Sequence, residues 1–315
     1  MRREKELQVM PQCFAQLSDL HLSTLNGVRR RDLVSKRGLG YLSWRRKRRF
    51  EHRTEVLDAL KRDLALAELD QLLVTGDLTH IGLPQEFEQA RLWLEKLGKP
   101  HQIALVPGNH DACVAAPWSK TFALWQDYMA SDSDCNSALE TIHFPSLRIR
   151  GSIAFIGLSS ACPKPPLMAT GTIDNEQMQR LPALLEYAAD AGLFRVVYLH
   201  HCPMAGKEKW RKRLTNASEV QGMLEEHGAE LVLHGHGHRA HYNELQTRHG
   251  NMPIIAVPSA SALGLHGADI AHYNHYQLER NQQGWQLSID SRRYQPAIDA
   301  FCKGTNRTLQ INRRS

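Results

Sequence analysis

The sequence predicts an α/β protein built as a two-sheet αββα sandwich, with two sheets face to face and helices outside. Three observations predict it. Residues 13–111 read strand–helix–strand–helix–strand, the order of parallel strands joined by right-handed crossovers. Residues from about 241 to 294 alternate in the antiparallel manner (YNELQT, MPIIAVP, HYNHYQLE, WQLSID). Every strand end in the α/β part carries Asp, Asn or His, and carboxyl ends of parallel strands are where such sheets place their sites.

The elements follow in order. CFAQLSD (13–19) reads as a buried strand, and 51–69 as a helix with Val56, Leu57, Leu60, Leu64 and Leu66 near helical spacing. QLLVTGD (71–77) is a second strand, and 84–98 a second helix ending at Gly98. HQIALVPGNHD (101–111) is a third strand running into a Pro-Gly loop. Strands are expected at 147–150 and 152–158, then a helix at 174–190. RVVYLHH (195–201) and ELVLHGH (230–236) are strands with His-rich ends, with a helix near 216–227 between them. Residues 252–275 read as a core strand and turn.

With 315 residues, 42% of them hydrophobic, the chain can bury one large core. No low-complexity linker or repeat divides it, so a single domain is expected over 1–302, with a basic insert at 22–50. The polar tail KGTNRTLQINRRS (303–315) is expected to be disordered. The amino-terminal stretch lacks the apolar core of a secretory signal. No apolar window approaches the roughly 18 residues that cross a bilayer. The expectation is a cytoplasmic protein, soluble or peripheral on the inner face of the membrane. Six scattered cysteines without a C-x-x-C pair read as reduced structural thiols.

The strand ends converge on one chemistry. They supply Asp19 and His21 (SDLHL), Asp77 (GDLTH), Asn109, His110 and Asp111 (PGNHD), His200 and His201 (LHHCP), and His234, His236 and His238 (HGHGH). Asp19 and His21 are two apart, as are His236 and His238, so in extended geometry each pair points to one face. Any one piece is weak; the ordered set is a metal site. Carboxylate, carboxamide and imidazole donors suit Mn²⁺, Fe²⁺ or Zn²⁺, with Mg²⁺ also a candidate. His80 and His241 read as ordinary loop residues.

D-x-H, G-D, G-N-H-D, H-H-x-P and G-H-x-H in this order resemble the calcineurin-like metallophosphoesterases over roughly residues 13–262. The resemblance implies that family's two-sheet sandwich and two divalent metal ions, Mn²⁺ first among the candidates. It implies that Asp19, His21 and His238 hold one ion, Asn109, His200 and His236 the second, and that Asp77 bridges them. Two such ions about 3.5–4 Å apart clamp the attacking and leaving oxygens of an in-line displacement at phosphorus. His110 would then stabilise the phosphoryl charge or protonate the leaving oxygen. Asp111 would orient the His110 imidazole. His201 and His234 would stand near enough for substrate contact.

The substrate must be read from what surrounds the metals. Residues 28–50 hold ten Lys/Arg and one Asp, a local charge of +9 in a chain of +6. This insert begins directly after His21, and its Arg45 and Arg46, beside Trp44, are candidate substrate or membrane contacts. A basic stretch with interleaved Trp and Tyr fits an anionic membrane surface. A solvated loop or a nucleic-acid contact remains open beside it. A second cluster, GKEKWRKRLTN (206–216), offers Arg211 and Arg213, whose guanidinium groups could hold a diphosphate bidentately. Within the family, the chain is similar to pyrophosphatases that cleave UDP-2,3-diacylglucosamine to the lipid monophosphate and UMP. Cyclic-nucleotide phosphodiesterases and nucleases of the same superfamily are the alternatives, and an inactive scaffold is disfavoured because no ligand position is missing.

Overall fold

The computed structural model describes residues 11–22, 24–132 and 143–312. Two six-stranded mixed sheets face each other. Sheet one runs β12 (Ala300–Asn312), β11 (Gly284–Gln295), β10 (His272–Asn281), β1 (Gln12–Leu17), β2 (Gln71–Val74), β3 (Ile103–Leu105). Sheet two runs β4 (Ser146–Arg150), β5 (Ile153–Gly157), β6 (Phe194–Tyr198), β7 (Leu231–His234), β9 (Gly250–Ala256), β8 (His241–Thr247). β1, β2 and β3 are parallel, as are β5, β6, β7 and β9. The expected αββα sandwich is the architecture observed.

The apolar runs dictate the layers. All four residues of β2 are buried, as a central strand covered on both faces requires. Between the sheets, Phe14 of β1 stacks on Tyr276 at 4.7 Å and meets Phe155 of β5 edge-on at 5.3 Å. Outside sheet one lie α3 (Thr54–Leu64) and α4 (Pro84–Leu97), which bury Val56, Leu60, Phe87 and Leu94. Outside sheet two lie α6 (Asn175–Asp190) and α7 (Ala217–His227), which bury Leu181, Leu185, Val220 and Leu224. The expected helix at 51–69 is shorter, because Arg53 is extended and starts α3 afresh.

The insert is not a loose loop. Its residues form α1 (Lys36–Ser43), a π-helical turn at Trp44–Arg48 and α2 (Arg49–Glu51), one nearly continuous helix. Trp44 is 4% exposed and packs with Ile81, Leu83 and Cys113. A short α5 (Gln126–Met129) completes the α-helices among the described residues.

The tail corrects an expectation. Residues 303–312 are not disordered but form most of β12, paired along β11 from Ala300↔Gln295 to Asn312↔Gly284. Phe301 anchors the strand by burial beside Tyr273 and Tyr294. The rest of β12 is largely exposed, as at a sheet edge, so its polar composition imitates a tail. The five cysteines among the described residues are free thiols; Cys135 and the first ten residues lie outside the described residues.

Candidate metal centre

All seven residues expected as ligands come together at the carboxyl ends of β1, β2, β3, β6 and β7. His238 Nε2 lies 3.3 Å from Asp19 Oδ1, and His200 Nε2 lies 3.3 Å from Asp77 Oδ2. His200 Nε2 is also 3.2 Å from Asn109 Oδ1 and 3.2 Å from His236 Nδ1. Donor atoms of Asp19, His21 and His238 fall within 4.8 Å of one another, and so do those of Asp19, Asp77 and His200. Asp19 and Asp77 thus link two half-sites.

The backbone, rather than strand geometry, aims these donors. Asp19, His21, Asp77, His236 and His238 all have positive φ, between 44° and 67°. The expectation of extended pairs at 19/21 and 236/238 is therefore corrected: both lie past the strand ends, in tight left-handed turns. Non-glycine residues in that region cost about 1–2 kcal/mol each, so strain is concentrated at the site. Gly76 and Gly108 permit the crowding. A Cβ on Gly108 would collide with Oδ1 of Asp77, and one on Gly76 with Nδ1 of His200.

Second contacts fix the ligands. His21 Nδ1 lies 2.8 Å from the Thr79 carbonyl and His200 Nδ1 2.7 Å from the Thr75 carbonyl, leaving Nε2 of each for the site. Burial, with the neighbouring imidazoles, holds His21 and His236 well below the ordinary histidine range. They are neutral, as ligands must be. Burial opposes the charge on Asp77, yet His200, His110 and His21 hold its carboxyl well below the usual range. Burial also opposes a charged His200, but Asp77 pushes it up to about 9, so this ligand must give up a proton when a cation binds.

These residues fit a pair of divalent ions. Asp19 Oδ1, His21 Nε2 and His236 Nε2 are buried without a hydrogen-bond partner. Burying unsatisfied polar atoms costs about 1–3 kcal/mol each, and a cation among these oxygen and nitrogen donors satisfies them.

The expected role of Asp111 is corrected. Its carboxylate accepts from the backbone N–H groups of Asp77 (3.0 Å), Thr79 (2.9 Å) and Gly108 (2.9 Å), and from Thr79 Oγ1 (3.0 Å). It clamps the β2 and β3 ends together. His110 is held instead by the His80 carbonyl, 2.7 Å from Nδ1, and by Arg48, whose Nη1 is 3.0 Å from Nδ1. The backbone N–H of His110 donates to Asp77 Oδ1 at 2.7 Å. Burial, with Arg48 opposing a second charge, lowers His110 to about 3.

Other expected contacts fare unevenly. His201 lies beside His200 and His236, but its Nδ1 is engaged with Ser160 Oγ (2.7 Å) and its Nε2 with the Ala169 carbonyl (3.1 Å). It braces the loops, and its donor atom also lies within 4.8 Å of those of His200 and His236. His234 is 3% exposed, with Nδ1 turned to the Gly235 carbonyl, and sits behind the ligands. Arg45 and Arg46 are exposed on the insert. Arg211 and Arg213 are exposed on the 206–216 loop, where the Arg211 guanidinium covers the Trp210 ring at 4.9 Å.

Several residues were missed. His80, read as an ordinary loop residue, stacks on His21 at 5.0 Å. His52 lies 4.3 Å from His21 and binds Ser261 Oγ through Nδ1 at 2.9 Å. Ser259 Oγ donates to the Asp19 carbonyl at 2.6 Å. Arg48 is the cation of the insert that reaches His110. A cavity of about 310 Å³ opens beside His21, bounded by Trp44, Arg49, His52, Arg53 and His80. Nothing in the periodicity of a run of five basic residues singles out Arg48; only the helix packing does.

A family model described as calcineurin-like phosphoesterase matches residues 14–240. The chain is 29% identical over 202 residues to a 3',5'-cyclic-nucleotide phosphodiesterase of Nostoc sp., covering 61% of this chain and 63% of that protein. It is 25% identical over 222 residues to a probable cyclic nucleotide phosphodiesterase of Vesicomyosocius okutanii, covering 68% of this chain and 80% of that one. The match thus spans less than two thirds of the first relative's length. Among solved structures, a dimetal phosphatase from Danio rerio superposes with a TM-score of 0.57 at 12% identity, covering 96% of this chain and 99% of that one. That likeness is one of fold.

Proposed function

This chain belongs to the calcineurin-like phosphoesterase family, and we propose that it hydrolyses the pyrophosphate of an anionic nucleotide-lipid, UDP-2,3-diacylglucosamine, to the lipid monophosphate and UMP. In this reading Asp19, His21 and His238 hold one divalent ion and Asn109, His200 and His236 the other, with Asp77 shared. Mn²⁺ is the first choice for both. When bound, the ions supply Lewis-acid stabilisation of phosphoryl charge and activation of the attacking water.

The chain's own groups do the rest. His110 is a neutral imidazole, and with its proton on Nε2 it donates to a phosphoryl or leaving oxygen. Arg48 makes that tautomer available by donating to Nδ1; with the proton on Nδ1, the His80 carbonyl accepts it instead. Arg49 brings positive charge to the cavity beside His21, while Arg53 there is paired with Glu55 at 3.0 Å; a second phosphate can bind at Arg49.

The observation that carries the reading is the insert helix itself. It delivers a half-buried guanidinium to His110 and lines the adjacent cavity, while Leu39, Leu42 and Phe50 stay exposed. A small soluble substrate gives no use for that apolar surface. Cyclic-nucleotide hydrolysis is the second reading, favoured by the names of the two relatives.

The deciding assay compares UDP-2,3-diacylglucosamine in detergent micelles with cyclic AMP, both with Mn²⁺. Release of UMP from the lipid supports the first reading, and turnover of cyclic AMP alone replaces it with the second.

A further inference from the structure

The insert helix carries a second chemistry on its outer side. Its inner side is fixed: Arg37 donates to the carbonyls of Ile81 (3.2 Å) and Gly82 (2.6 Å), and Gly40, Trp44 and Arg48 follow at helical spacing. The outer side holds Leu39, Leu42 and Phe50, which are 46%, 45% and 46% exposed. Around them Arg45, Arg46, Lys47 and Arg49 are exposed. No acidic residue occurs from Lys36 to Phe50.

The surface continues beyond the insert. Lys36 Nζ donates to the Met168 carbonyl at 2.7 Å, tying α1 to the loop that exposes Leu167 (69%). Ala169 N–H donates to the Arg211 carbonyl at 2.9 Å, tying that loop to the one exposing Trp210 (59%). Hydrogen bonds thus tie together three segments that each expose apolar side chains beside cations.

We propose that these segments form a docking surface for an anionic lipid bilayer. Aliphatic and aromatic side chains alternating with arginines on one helix face match the boundary between headgroups and acyl chains. Each exposed cation near an anionic leaflet adds attraction. Nucleic acid would use the cations but has no use for Leu39 and Leu42. The docking stands independently of which phosphoester the site cleaves, since it needs neither substrate nor metal.

The test is sedimentation of the full chain with phosphatidylcholine vesicles, with and without phosphatidylglycerol. The protein is expected to bind the anionic vesicles and not the neutral ones, with affinity falling as salt rises. The combined variant Arg45→Gln, Arg46→Gln, Lys47→Gln should bind roughly a hundredfold more weakly at low salt, about fivefold per charge. Leu39→Ser with Leu42→Ser should lose about tenfold or more at unchanged net charge. Unchanged thermal melting of both variants certifies their fold. Failure of the wild-type protein to bind anionic vesicles overturns the proposal. So does wild-type binding by the leucine variant, which would make the face a general polyanion site such as one for nucleic acid.

Discussion

Arg48 places Nη1 3.0 Å from Nδ1 of His110 while Nη2 donates to the Gly40 carbonyl at 2.8 Å. A guanidinium from the helical insert is thereby wedged against the imidazole that follows Asn109. Arg48→Ala should lower kcat about 10–100-fold, in the range of losing one positioned polar group, with metal content unchanged. Arg48→Lys keeps charge but not the two-armed geometry and should recover only part of the rate. Equal kcat in all three proteins would remove Arg48 from the chemistry.

His110 itself separates catalysis from metal binding. His110→Asn should reduce kcat by about 10²–10⁴-fold while bound metal, measured by elemental analysis, stays at the wild-type level. Loss of metal together with activity would instead place His110 among the ligands.

Asp111 is a structural clamp, so its removal should be read in stability. Asp111→Ala leaves the N–H groups of Asp77, Thr79 and Gly108 without their acceptor. A loss of roughly 3–5 kcal/mol is expected in denaturant unfolding. Affinity for metal should fall too, because Asp77 and Asn109 sit on the two segments it joins.

Metal removal should destabilise. Ligand present at a hundred times its Kd adds about 2.7 kcal/mol, so exhaustive chelation should lower Tm and Mn²⁺ should restore it. Asp77→Asn should abolish that restoration, since one bridging carboxylate serves both half-sites. A Tm indifferent to chelator would argue against the site.

His272, at the start of β10 and outside the ligand set, contributes a pH dependence of stability. Burial lowers its pKa to about 4, with Asp269 opposing and Arg293 reinforcing. The unfolded chain, near 6.5, then binds the proton that the folded chain refuses, so stability falls as pH drops from 6.5 toward 4. His272→Asn should make that part of the Tm–pH curve shallower, the buried histidines of the metal centre keeping the rest of its slope, and an unchanged slope would contradict the assignment.

The parallel strands and their polar ends were legible because local sequence carries them. A buried apolar run ending in Gly-Asp or Gly-Asn needs no distant partner to be recognised. The left-handed turns at Asp19 and His238 were not legible, since neighbouring loops and shared hydrogen bonds impose them. Arg48 and His52 were hidden for a related reason: a helix of unusual π-turn geometry brings them inward, and a string of cations has no apolar period to report it. β12 was missed because an edge strand with one wet face reads as a polar tail.

The placement of β1 between β10 and β2 has a consequence for biosynthesis. Gln12 pairs with Leu278 across the sheet, and Asp19 meets His238 at the centre. A ribosome that has released only the first two hundred residues has made β1 with one edge bare and a donor cluster still lacking His236 and His238. Closure waits for β10 to pair with β1, a contact of long sequence separation that forms slowly. During that wait the open strand edge and the apolar inner face of sheet one are accessible, the condition in which chaperones bind and nascent chains aggregate.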